Sequence, residues 1–198
     1  MAINKQPIAK MCRSYDVSPA VMGYGNKKSN RNPGGNRRKK VSDYGTQLKE
    51  KQKVKFVYGV LEKQFRHYFE KASNMKGVTG DNMLQLLELR LDNVVYRLGL
   101  AKTRRMARQI VVHGHIRVNG QKVDIPSYSV KMNDVITLRQ RSTEMEMFKA
   151  LREGTGVACP KWLTFDAQNL TGKVVALPAR DDIDMQIQEN MIVEFYSR

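Results

Sequence analysis

From Leu84 to Leu98 apolar residues recur every three or four positions, at Leu84, Leu87, Leu91, Val94, Val95 and Leu98, which predicts an amphipathic helix. Gly99 is its stop signal. Thr103 is placed to cap a second helix, RRMARQIVVH, because its hydroxyl can accept from a free N–H of the first turn. Met106, Ala107, Ile110 and Val111 gather on one side of that helix, and Arg104, Arg105 and Arg108 on the other. After Gly114 the period falls to two. In IRVNGQKV the Asn119-Gly120 pair suits the positive φ angles of a type I′ turn. This hairpin sets Val118 against Gln121, Arg117 against Lys122 and Ile116 against Val123. A further strand, Val135 to Leu138, follows the Asn133-Asp134 turn.

Upstream, Val54, Val57, Leu61, Phe65, Tyr68 and Ala72 form a helical stripe, which predicts one long helix from Thr46 to Ser73 with Lys49, Lys51, Lys53, Lys55, Lys63 and Arg66 mainly off it. Downstream, Thr143 to Glu153 reads as a short helix and Trp162, Leu163 and Phe165 as a strand; MIVEFYS has strand character, with Val193 and Phe195 on one face. The fold class expected is α+β: a helical N-terminal lobe, then a small module of two helices and a short antiparallel sheet. Residues 1–40 form a basic arm, 41–83 the helical part of the first lobe, 84–141 the module, and 142–198 an acidic region expected to pack back on the first lobe.

Charge changes this picture. The chain has 198 residues and a net charge of +16, with the excess in its first two-thirds. A balance of this size favours a polyphosphate partner, because each neutralised phosphate releases condensed counterions. No apolar run approaches the length of a membrane span, so no membrane partner is expected. Residues 1–40 hold few core-forming side chains and end in NKKSNRNPGGNRRKK, so the arm is expected to be flexible without RNA. Arg117 and Lys122 stand directly opposite each other, which costs stability unless an anion lies over them. The acidic run Asp181, Asp182 and Asp184 is either a solvated face or a contact for a basic protein neighbour.

Catalytic signatures are missing. The three histidines form no evident triad, and no nucleophile elbow, paired zinc ligands or phosphate-binding glycine loop is present. Cys12 and Cys159 are the only cysteines, both expected as free thiols in a reducing cytoplasm. No enzyme activity and no cofactor are expected.

RLDNVVYRLGLAKTRRMARQIVVHGHIRVNGQKVDIPSYSVKMNDVI resembles the small RNA-binding module named after small-subunit ribosomal protein four. KVSDYGTQLKEKQKVKFVYGVLEKQFRHYFEKA and ENMIVEFYSR are similar to the bacterial form of that family, so the likeness runs from Lys40 to Arg198. The resemblance implies a structural protein of the small ribosomal subunit. It would bind the 5′ domain of 16S rRNA at a multi-helix junction, nucleate assembly of the subunit body and influence decoding accuracy through small-subunit protein five. It would also lie near the path by which mRNA enters, beside proteins three and five, and repress its own operon. Some family members hold zinc on four cysteines near the N-terminus; with only Cys12 there, no metal is expected.

Similar modules occur fused to RNA-modifying enzymes, but these need an added catalytic domain. A freestanding RNA chaperone or translational repressor is the alternative. The RNA-binding candidates follow the cationic faces: Arg37, Arg38, Lys39 and Lys40 in the arm; Lys51, Lys53 and Lys55 on the long helix; Arg104, Arg105, Arg108 and His113 on the module helix; and Arg117, Asn119, Gly120 and Lys122 in the hairpin.

Overall fold

The computed structural model describes residues 7–25, 42–152 and 159–197. In chain order its helices are α1 (Ile8–Tyr15), α2 (Asp43–Tyr58), α3 (Glu62–Ser73), α4 (Thr79–Glu88), α5 (Leu91–Arg97), α6 (Arg104–Val112), α7 (Glu146–Arg152) and α8 (Glu189–Tyr196). The strands are β1 (Ile116–Val118), β2 (Gln121–Lys122), β3 (Val135–Leu138), β4 (Leu163–Asp166) and β5 (Thr171–Val174). All pairings are antiparallel, in the order β2-β1-β3-β5-β4. The fold class is thus α+β, as expected. The chain divides into a first unit, Met1–Gly80 with Met185–Arg198, and a second, Asp81–Asp184.

In the first unit the predicted long helix is two. Gly59 adopts φ 64°, a left-handed cap that an L side chain resists, and the chain restarts at Leu61 in an extended conformation. Ser42 caps α2 by accepting from the Gly45 N–H at 3.2 Å. Part of the stretch read as a basic arm is also helical: α1 buries Cys12, whose thiol meets the Met22 sulfur at 3.8 Å, and Tyr15 packs on Phe56.

The predicted C-terminal strand is a helix. Among the described residues the first unit holds no strand for it to pair with, and a helix satisfies its own backbone groups. α8 buries Ile192, and it and the residues just before it hold α2 through polar bonds: Gln47 donates to Glu194 at 2.8 Å, and Lys53 to the Gln186 carbonyl at 2.7 Å. Phe195 faces Tyr44, while Tyr196 stacks on Phe69 and donates to Glu62 at 2.9 Å.

Glu62 is the hub of this joint. Burial would raise its pKa, but hydrogen bonds from Lys51, Lys55 and Tyr196, together with the Lys55 charge, hold it down to about 2. Between pH 4.5 and about 2 the unfolded chain therefore binds a proton that the folded chain does not, so stability falls as pH falls through this window. The side chain stays half-exposed, and solvent screening cuts the contribution to about 1 kcal/mol. Acid unfolding followed by circular dichroism is expected to show wild type more stable than Glu62→Gln above pH 5, the two converging near pH 2; parallel curves would refute this.

The second unit is one sheet with helices on one face. Ile116, Val118, Ile136, Leu138, Leu163 and Val174 point into a core with Leu91, Val94, Val95, Leu98, Ala107, Ile110 and Val111. The helix predicted through Leu84–Leu98 is broken, because Arg90 turns extended and bridges to Ser129. Gly99 ends α5 as expected, at φ 77°. Thr103 caps α6, accepting from the Met106 N–H at 3.1 Å. The hairpin register is the predicted one, Arg117 opposite Lys122 and Val118 opposite Gln121.

The C-terminal region divides between the units. β5 pairs with β3, so residues up to Asp184 belong to the second unit, and only Met185–Arg198 joins the first. Open hydrogen-bonding groups along β3 are satisfied by this addition, which local patterning does not reveal.

Candidate nucleic-acid interface

The hairpin carries two exposed cations of the second unit, Arg117 and Lys122. Asn119 and Gly120 both take positive φ, 50° and 80°, as a type I′ turn requires. The Asn119 amide is committed to the fold: it donates to Asp134 at 2.8 Å, and its oxygen accepts from the Val135 N–H at 2.9 Å. What the tip offers outward is the Gly120 backbone, over which Arg117 arches to reach the Gly120 carbonyl at 3.2 Å.

Register extends the face. Lys122, Arg117, Thr137 and Thr171 form one row across four strands, and Lys173 stands beside Val135 and Thr164 in the next. Residues on this row and on the core side alternate, so the cations point away from the core while Ile116, Val118 and Ile136 fill it. Lys173 was not among the sequence candidates; its signal, the alternation in TGKV, means little until β5 is known to join the sheet.

At the end of α6, His113 is exposed and its ring lies 6.1 Å from His115. His115 meets the Ser142 hydroxyl at 2.9 Å and packs on Phe148; burial first, then the charges of His113 and Arg139, lower its pKa. The Lys122 side chain lies across Gly114, where any Cβ would stand 2.5 Å from the Lys122 Cε, and its ammonium pairs with Asp124 at 3.5 Å.

The three α6 arginines part company. Arg105 is exposed. Arg104 is buried: its Nε donates to Asn93 at 2.8 Å and its guanidinium covers the Tyr96 ring at 4.4 Å. Arg108 is partly buried, 3.7 Å from Asp92, which Arg90 already holds in a bidentate pair. Helical periodicity places all three on one side, but that side lies partly against α5, whose Asp92 and Asn93 it needs for its own polar partners.

Lys51, Lys53 and Lys55 also differ from expectation. Lys51 is only 5 % exposed, paired to Glu62 at 2.7 Å and set over the Phe195 ring at 4.4 Å. Lys55 reaches the same carboxylate at 2.9 Å, and Lys53 bonds the Gln186 carbonyl. The turn at Gly59 brings Glu62 back over α2, and the lysines close on it. Arg37, Arg38, Lys39 and Lys40 lie outside the described residues. Among the described residues no group of three or more His, Cys, Asp or Glu side chains is placed to hold a metal ion, and no helix is long and apolar enough to cross a membrane.

Two family models match the chain: the ribosomal protein S4/S9 N-terminal domain over residues 4–88 and the S4 domain over residues 89–136. Small ribosomal subunit protein uS4 of Lachnospira eligens is 51% identical over 199 residues, covering 100% of both chains. The chain belongs to the uS4 family. The uS4 of Acetivibrio thermocellus is 58% identical over 165 residues, 83% of this chain and 79% of its own, and the uS4A of Alkaliphilus metalliredigens is 51% identical over 207 residues, 100% of each. The family likeness reaches back to residue 4, further than the sequence resemblance that began at Lys40. The S4-domain match begins at Leu89, beside the break between α4 and α5, and ends inside β3. β5 and β4, with Lys173, complete the uS4 sheet from outside that interval.

Proposed function

We propose that this chain is a structural, non-catalytic protein of the small ribosomal subunit, and that Arg105, His113, Arg117 and Lys122 place its second unit on 16S rRNA. The observation that carries the reading is the solvent-facing pair Arg117 and Lys122, held opposite each other on the sheet of a uS4-family chain. Like charges in register repel; Asp124, 3.5 Å from Lys122, offsets part of that cost, and a phosphate lying over both cations removes the rest. Folded RNA suits such a surface, since its helices are recognised by backbone shape and 2′-hydroxyls more than by base edges. The Thr137 hydroxyl in the same row adds a donor to that surface.

In this reading the protein binds early to the 5′ domain of the rRNA and nucleates assembly of the subunit body. It works in the cytoplasm, contacts small-subunit protein five, lies near the path of incoming mRNA and affects decoding accuracy. Arg104, Arg108, Lys51, Lys53 and Lys55 serve mainly to build the two units, and Asn119 to hold the hairpin to β3.

The test is a salt titration of full-length protein on a transcript of the 16S rRNA 5′ domain. Replacing Arg105, Arg117 and Lys122 together by alanine is expected to weaken binding roughly thirtyfold near 0.1 M salt and to lower the log–log salt slope by about 2 to 3. Wild-type affinity and slope in that variant would remove the hairpin face as the site.

A further inference from the structure

The direction of the hairpin tip is fixed from outside the hairpin. β2 is an edge strand of two residues paired to β1, and so short a ribbon holds its turn loosely. Asn119 adds a hold on β3: its Oδ1 accepts from the Val135 N–H at 2.9 Å, and its own N–H donates to the Val135 carbonyl at 2.8 Å. Its Nδ2 donates to Asp134 Oδ1 at 2.8 Å. The other Asp134 oxygen, Oδ2, accepts from the Lys131 N–H at 2.7 Å and closes the turn before β3, in which Asn133 takes φ 69°. That turn is itself fastened to β5, since Asn133 donates to the Val174 carbonyl at 2.9 Å and Val174 donates to the Asp134 carbonyl at 3.1 Å. One carboxylate thus ties the hairpin tip to the far side of β3.

Asp134 is 8 % exposed, and a carboxylate is costly to bury unless its oxygens are bonded, as both are here. We propose that Asp134 is the positioning residue of the cationic face: without meeting RNA itself, it sets the direction of the Asn119-Gly120 turn and with it the placement of Arg117 and Lys122. This rests on the RNA-binding reading above. Arg117 stands just before the turn and Lys122 just after it, and Arg117 reaches the Gly120 carbonyl at 3.2 Å, so a tilt of the turn moves both cations. A turn already held in its bound direction loses less freedom when a phosphate docks.

The experiment uses the full chain and the same 5′-domain transcript, with Asp134→Asn, Asn119→Asp and the two combined. Asn119 Nδ2 and the Lys131 N–H are both donors, so Asp134→Asn can satisfy only one of them, whereas Asn119→Asp brings two carboxylates together. The double variant exchanges amide and carboxylate, and each of these bonds again has a donor and an acceptor. Asp134→Asn is expected to bind about fivefold more weakly at 0.1 M salt, with a slope lower by about 1, in protein that circular dichroism and Trp162 fluorescence show to be folded. Charge alone predicts the opposite sign, because removing an anion beside a cationic face tightens binding to a polyanion. The double variant, with the net charge of wild type, is expected to recover wild-type affinity and slope. Binding by folded Asp134→Asn as tight as wild type or tighter would overturn the positioning role, and weakened binding in the Arg105, Arg117 and Lys122 variant would then leave the hairpin reading standing. A double variant no better than Asn119→Asp would also overturn it, and that comparison decides the matter if Asp134→Asn does not fold. If wild-type protein showed no salt-dependent binding to the transcript at all, the RNA-binding reading would fail and the positioning role with it.

Discussion

Glu88→Ala is expected to lower the stability of the second unit by about 3–5 kcal/mol, the largest effect of any single change considered for this protein. Glu88 is 1 % exposed and accepts side-chain hydrogen bonds from Arg97 Nη2 at 3.0 Å, from Arg97 Nε at 3.1 Å and from Asn93 Nδ2 at 2.7 Å. Asn93 in turn accepts from Arg104, so the carboxylate orders a chain of polar groups across α4, α5 and α6. Alanine would take the Glu88 carboxylate away from the Arg97 guanidinium, which is 9 % exposed and also meets Asp184. A buried charge that loses its partner costs far more than the intact pair contributes, because desolvation is then uncompensated. Glu88→Gln keeps the hydrogen bond to Asn93 and is expected to cost less. Trp162, the single tryptophan, is buried in this unit and reports its unfolding in urea. A lowered midpoint with unchanged slope is the expected result; a loss below about 1 kcal/mol would mean that Asp184 alone neutralises Arg97.

Gly172→Val is expected to cost about 3 kcal/mol, for a steric reason. Gly172 lies on β5 between Ile136 and Phe165, and a Cβ there would stand 2.4 Å from one Leu98 methyl and 2.7 Å from the other. Leu98 is 2 % exposed at the end of α5 and has little room to retreat, so either the helix end lifts or β5 loses its pairing. Adding Leu98→Ala makes space, and the double variant is expected to lose less stability than the sum of the two single changes. The same urea experiment checks it. Strict additivity, or a neutral Gly172→Val, would show that α5 and β5 are not in this close contact.

Features set by neighbouring residues were legible in the chain. The Thr103 cap and the Asn119-Gly120 turn with its register need only a few consecutive residues to act, and the α6 stripe turned Ala107, Ile110 and Val111 inward as its spacing implied. The helix breaks were less visible. A hydrophobic stripe continues through Gly59 and Leu89-Arg90 because both flanking helices bury the same kind of side chain, although the backbone turns between them. MIVEFYS misled for a related reason: isoleucine, valine and aromatic side chains suit a strand only where another strand is available. In the first unit the two aromatic side chains meet Tyr44 of α2 and Phe69 of α3 instead.

The amino-acid order by itself determined the uS4 family, the α+β class, the hairpin and the basic character that points to a polyphosphate partner. Tertiary structure alone decided which cations the fold encloses. Lys51 and Arg104 are lysine and arginine like Lys63 and Arg117, but Glu62 and Asn93 lie against the first two, which the fold buries, while the second two are exposed. A charge's partner is set by which chain segments fold back upon it. Residues far apart in sequence make that choice, and neither helical spacing nor a charge total records it.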